Sequence, residues 1–172
     1  MKYIFLILFL FCLPKVFSQE NGQLGINVLT EEEYKQIKIN EVPLEQILFF
    51  KGGLAEISEL LEMPFSKENP DPEALSYKND EMLLVYGNAL HERTLYYLEI
   101  LSNQAVLEIK GNVWKLGESI SGLDFEGTLN SKPLKNGSFC ALFKQEKESA
   151  YICIEFDPQS GVIRKINYLS PT

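Results

Sequence analysis

Two stretches near the end of the chain alternate strictly, and alternation of that kind commits the residues carrying it to antiparallel sheet. Phe139, Ala141 and Phe143 fall on one face of an extended segment, and Ala150, Ile152 and Ile154 on one face of the next. The link Gln145-Glu146-Lys147-Glu148 is polar, so the pair reads as a β-hairpin. The natural pairing sets Phe139 against Ile154, Ala141 against Ile152, and Cys140 directly against Cys153. A slip of two residues keeps the same faces matched, so pattern leaves the register open to that extent. Cys140 and Cys153 are thus candidates for a cross-strand disulfide, the alternative being two buried, small apolar side chains.

The opposite end of the chain reads as a targeting segment. Lys2 is followed by the apolar run Tyr3 to Leu13, then by Pro14 and Lys15, and Val16-Phe17-Ser18 offers a cleavage site before Gln19. The run is too short to span a bilayer, which takes about 20 residues of helix. Cys12 follows Phe11, where a lipidation signal wants a small residue. Residues 1–18 are therefore expected to be a secretory signal peptide, and the protein to be periplasmic or secreted. Export to an oxidising compartment permits the disulfide, since Cys140 and Cys153 are the only cysteines after Gln19.

Loss of Lys2 and Lys15 with the signal leaves fourteen basic against twenty-four acidic side chains, a net charge of −10. That balance disfavours nucleic acid, whose phosphates want Lys and Arg. A partner steered by charge is a basic one; the alternative is that the acidity serves solubility alone. No second hydrophobic span follows Gln19, so no membrane crossing is expected after cleavage.

Along the remaining chain, Thr30 and Glu33 form a potential capping box for a helix through Tyr34 and Ile37. Pro43 can open a second helix carrying Leu44, Ile47 and Leu48, and Leu54, Ile57, Leu60 and Leu61 make a third that Pro64 closes. Residues 66–76 read as a polar loop. Strands are predicted over 82–86, 94–101, 105–110, 138–144, 150–156 and 162–168, with a thin helical part over 119–125. Asp157-Pro158-Gln159-Ser160-Gly161 is a turn. Lys38-Ile39-Asn40-Glu41 aligns with Lys115-Leu116-Gly117-Glu118, and Leu98-Glu99-Ile100 with Ile154-Glu155-Phe156, as one structural unit used twice would. The expected fold class is α+β: after an N-terminal segment 19–36, two degenerate units, 37–110 and 111–172, each with helices packed on an antiparallel three-stranded sheet.

Gly53-Leu54-Ala55-Glu56-Ile57-Ser58-Glu59-Leu60-Leu61, followed by Met63-Pro64 and a polar loop leading into strands, resembles the helix-then-sheet unit of the beta-lactamase-inhibitor-protein-like fold, which outer-membrane assembly lipoproteins share. Leu116-Gly117-Glu118-Ser119-Ile120 resembles the same start in a second copy. Glu62 stands where the family pattern usually has glycine, a departure from it. The resemblance implies a protein-binding or envelope role without catalysis.

The residues themselves offer little chemistry. His91 is the one histidine, in a turn-like stretch, without the partners of a triad or a metal site. Glu68, Asn69, Asp71 and Glu73 lack the spacing of a calcium loop. Glu99 and Glu155 occupy equivalent places, as a glycosidase pair would, but alternation points both to the open side of a sheet. No phosphate loop, nucleophile elbow or CxxC is present, and no cofactor is expected. Recognition surface remains: Tyr96 and Tyr97, on opposite sides of one strand, and Tyr151 are candidate partner-facing aromatics. The expected function is a non-catalytic binding or inhibitor-like module; the rival is a small secreted hydrolase with an unrecognised site.

Overall fold

A computed structural model describes residues 25–68, 74–87, 94–123 and 129–170. The signal-like segment 1–18, His91, Asn69, Asp71 and Glu73 lie outside the described residues. The first half of the chain gives β1 (Ile26–Leu29), α1 (Glu31–Lys35), β2 (Lys38–Ile39), β3 (Val42–Pro43), α2 (Leu44–Leu48), α3 (Leu54–Leu60), β4 (Ser66–Glu68) and β5 (Ala74–Lys78). It continues with β6 (Met82–Gly87), β7 (Leu95–Ile100), β8 (Leu107–Ile109) and β9 (Asn112–Trp114). The rest gives β10 (Lys132–Pro133), β11 (Phe139–Gln145), β12 (Tyr151–Phe156) and β13 (Ile163–Leu169).

Helix α1 starts where its cap lies. Thr30 Oγ1 accepts from the Glu33 amide at 3.2 Å and Glu33 Oε2 accepts from the Thr30 amide at 2.8 Å, a reciprocal capping box. Helix α2 buries Leu44, Ile47 and Leu48, and α3 buries Ile57.

The expected fold class is overturned. The chain is predominantly β, and its strands form one large mixed sheet rather than two three-stranded ones. The order across this nine-stranded sheet is β1-β11-β12-β13-β7-β6-β5-β4, with β10 sharing the outer edge of β11. The join is the antiparallel pairing of β13 with β7, Tyr168 opposite Leu98 and Ile166 opposite Ile100. Two separate sheets would each have left such strands as open edges, and pairing removes both. The third strand expected in the first unit does not stay in it: β8 turns through Lys110-Gly111 into β9 and joins β2 and β3 in a second, four-stranded sheet, β3-β2-β8-β9. Both hairpins of this small sheet turn on two residues of positive φ, Asn40-Glu41 and Lys110-Gly111, whose twist suits a two-residue connection. Residues 66–76 are not a loop throughout, since β4 and the start of β5 lie there. The helix expected over 119–125 reduces, among the described residues, to a three-residue 3-10 turn, Ile120–Gly122; Gly117 at φ +81° has already broken the chain direction.

The β11–β12 hairpin forms, but two residues from the expected register: Ala141 faces Ile154, Phe143 faces Ile152, and Cys140 faces Glu155. On its other side β11 is paired in parallel by β1, which sets Lys144 and Gln145 opposite Val28 and Leu29. Strand β1 is fastened at its free side by Asn27 and Asn130. The Asn27 amide donates to Asn130 O at 2.9 Å and to Leu142 O at 3.1 Å, and its Oδ1 accepts from the Asn130 amide at 2.9 Å.

The core lies between the inner face of the large sheet and a cover made of α1, α2, α3 and the small sheet. The Tyr86 hydroxyl donates to Ile47 O at 2.9 Å, tying β6 to α2. Trp114, from the small sheet, stacks edge-on against Phe143 with centroids 5.4 Å apart.

Candidate functional site

With every described helix and the small sheet on one side, the other face of the large sheet has no described element over it. Strand register puts its residues in rows. Leu169 stands between Tyr97 and Tyr151, and Val85 lies next to Tyr97, giving a row Val85, Tyr97, Leu169, Tyr151 across β6, β7, β13 and β12, all half-exposed. The adjacent row is Leu83, Glu99, Asn167, Cys153 and Leu142. Cross-strand neighbours of this kind lie close enough for their side chains to make one surface.

Tyr96 and Tyr97 do not face opposite sides of a regular strand. The register shifts between Val85 and Tyr86, so that Tyr97 pairs with Val85 but Leu95 with Tyr86, and Tyr96 is the extra residue of a bulge. Leu95 and Leu98 take the core positions, leaving both tyrosines outside the core and half-exposed. The Tyr97 hydroxyl donates to Glu99 Oε2, and Glu99 Oε1 lies 3.4 Å from Lys165 Nζ. Burial, then the bond to Glu99 and its charge, pushes the Tyr97 hydroxyl above the usual tyrosine range. Glu99 and Glu155 both lie on this open face. Glu155 sits opposite Lys165 on one side and Cys140 on the other.

Cys140 and Cys153 are joined in the structure, Cα atoms 6.2 Å apart. With the observed register they are diagonal neighbours on the open face, not the directly opposed pair the sequence suggested.

Asn167 was not singled out by sequence, though its polar side chain between Ile166 and Tyr168 marks the outward position of β13. It is 7% exposed, and its Oδ1 has no hydrogen-bond partner among the described residues. A buried acceptor left unpaired costs about 1–3 kcal/mol. Asn167→Leu, similar in size and without the unpaired atom, is expected to stabilise the protein by about 1 kcal/mol. A urea midpoint unchanged or lowered in this variant would show that the acceptor is not a cost to the fold.

A second feature lies at the rim of the core, where α1 and α2 meet the ends of β7, β11 and β13: a cleft of about 490 Å³. Leu48, Leu95 and Ala150 form its apolar floor, and Tyr34 and Tyr168 bring their hydroxyls to it. Three carboxylates, Glu31, Glu45 and Glu148, stand at its mouth with one lysine, Lys35. Lys35 is held by Glu31 at 2.6 Å. Phe49, 57% exposed, closes one side. Burial, the Tyr168 phenol and the Glu148 charge push the Tyr34 hydroxyl far above the ordinary range. Burial also raises Tyr168, against hydrogen bonding from Ser170 and Tyr34.

These shifts have a consequence for stability. Above pH 10 the unfolded chain releases tyrosine protons that Tyr34 and Tyr168 still hold in the native state, so the unfolded state binds fewer protons. Their contribution is fully present below that pH, and stability is expected to fall as pH rises past it, by up to about 1.4 kcal/mol per pH unit for Tyr34, with Tyr168 adding to the fall. Urea midpoints measured from pH 8 to 11 check this, with Tyr34→Phe expected to flatten the fall; a flat profile in the unaltered chain would refute it.

Among the described residues no group of three or more His, Cys, Asp or Glu side chains is placed to hold a metal ion, and no helix is long and apolar enough to cross a membrane. Comparison with protein-family models, curated proteins and solved structures finds no match to this chain.

Proposed function

We propose that the protein is an exported, non-catalytic binding module that holds a protein partner on the face of its large sheet that has no described element over it. The observation that carries this reading is the row Val85, Tyr97, Leu169, Tyr151, half-exposed side chains on four neighbouring strands with no described element over them. Apolar surface bordered by polar groups marks interaction sites. A sheet presents it at little cost in ordering, and Tyr97 is already pinned by Glu99.

The face itself is nearly balanced in charge, with Lys165 paired to Glu99 and Lys78 to Glu68. The acidity of the chain, net −8 over its full length, therefore acts at long range and favours encounter with a basic partner. The Cys140–Cys153 bond is compatible with an oxidising, exported setting. The protein-binding role implied by the inhibitor-like resemblance belongs to the same proposal.

The test is capture with the chain from Gln19 to Thr172 against envelope and culture-fluid extracts of its own source, alongside Tyr97→Ala/Tyr151→Ala. One protein retained in near-equal amount by the unaltered chain, released at high salt and retained at least tenfold less by the folded double variant, is the expected result. Equal retention by both chains, or none by either, would overturn the proposal.

A further inference from the structure

The cleft on the opposite side of the molecule has a chemistry of its own. Its volume, about 490 Å³, lies in the range of small-ligand sites, about 300–1,000 Å³, and it combines an apolar floor with a few convergent polar groups, as such sites do. Among the described residues neither Glu45 nor Glu148 makes an ion pair, whereas Lys35, the lysine of the mouth, is occupied by Glu31. Glu148 stands close enough to both phenols to act on each. Lys147 is near enough to act on Glu31, and Lys35 on Glu45, so the three carboxylates leave a small excess of negative charge at the mouth, which borders three aromatic side chains, Tyr34, Phe49 and Tyr168.

We propose that this cleft binds an organic cation, an ammonium or guanidinium group carried on an apolar body. The charged head sits at Glu45 and Glu148, and the body lies along Leu48 and Leu95. An aromatic wall adds cation–π attraction to the ion pairing, worth most where water is displaced. A neutral ligand of the same shape gains the apolar contact alone, and an anion is repelled. The inference is independent of the open sheet face, which is formed by other residues.

Calorimetric titration of the chain from Gln19 to Thr172 tests it with three probes: phenethylamine, spermidine, and an end-blocked heptapeptide with one arginine between leucines. 2-Phenylethanol serves as the neutral counterpart of the first. Saturable binding of at least one cationic probe is expected, at least tenfold tighter than the neutral alcohol and weakened as salt is raised. Glu45→Gln/Glu148→Gln, at exposed positions, is expected to lower that affinity about tenfold or more, and Phe49→Ala to lower it further. Trp114 fluorescence confirms that each variant is folded. Binding of the amines alone points to a free small molecule, and binding of the peptide alone to the side chain of a polypeptide; both support a cation site. Equal binding of 2-phenylethanol and phenethylamine, no binding by any cationic probe, or affinity untouched by the double Glu variant would overturn it. Tyr97→Ala/Tyr151→Ala is expected to leave amine binding unchanged, so failure here and failure of the sheet-face proposal are read separately.

Discussion

Trp114→Ala is expected to be the most damaging single change in the protein, lowering stability by about 3–5 kcal/mol. Trp114 is fully buried at the end of β9 and presses its ring edge-on to Phe143 of β11. With Ile39, Leu107 and Ile109, buried in the same core, it helps to hold the small sheet onto the large one. Truncation removes the apolar transfer energy of the largest buried side chain and leaves a cavity between two sheets that cannot both collapse into it. Domains of this size are stable by about 5–15 kcal/mol in all, so the loss is a large share. Thermal melting followed by far-ultraviolet circular dichroism reads it, since the substitution removes the single tryptophan. Trp114→Phe, which keeps an aromatic ring, is expected to lose less. A melting temperature for Trp114→Ala within a few degrees of the unaltered protein would mean that the two sheets are not joined there.

The second large effect is expected from the disulfide. Cys140 and Cys153 close a loop with a sequence separation of 13, and tying a loop of that size restricts the unfolded chain by about 3 kcal/mol. Cys140→Ala/Cys153→Ala is therefore expected to shift the urea midpoint down by about that stability. Both positions are nearly buried, so alanine adds only a small packing loss. Adding a reductant should move the unaltered protein to about the same midpoint and leave the double variant where it is. Trp114 fluorescence reports the transition in each case. A reductant that leaves the unaltered midpoint in place would argue that the bond contributes nothing to the fold.

What could be read from the sequence was mostly local. The capping box at Thr30 and Glu33, the buried triplet Leu44, Ile47 and Leu48, and the alternation of β11 and β12 all follow from contacts within a few residues, and each is present. What could not be read depended on residues far apart in the chain. The pairing of β7 with β13 converts two expected sheets into one, and no letter in Leu98 or Tyr168 announces it, because any apolar alternating strand suits either partner. The hairpin register differs by two from the expected one, a slip that keeps the faces matched and so lies beyond the reach of the hairpin's own pattern. The bulge at Tyr96 turned two tyrosines expected on opposite faces into neighbours outside the core. At the open face, Tyr97 and Tyr151 were legible as strand tyrosines, but their meeting across Leu169 required the register. Asn167 and the cleft between Tyr34 and Tyr168 were missed for the same reason: each is assembled from segments separated by much of the chain.

We propose the face of the large sheet that has no described element over it as the working surface. Its most direct test is tyrosine footprinting by brief radical oxidation, applied to the free protein and to its complex with the captured partner. Tyr97 and Tyr151 are half-exposed in the free chain and are expected to be oxidised there, then protected several-fold in the complex while Phe49 stays unchanged. Equal oxidation of Tyr97 and Tyr151 in both states, with protection appearing at Phe49 or elsewhere, would contradict the account.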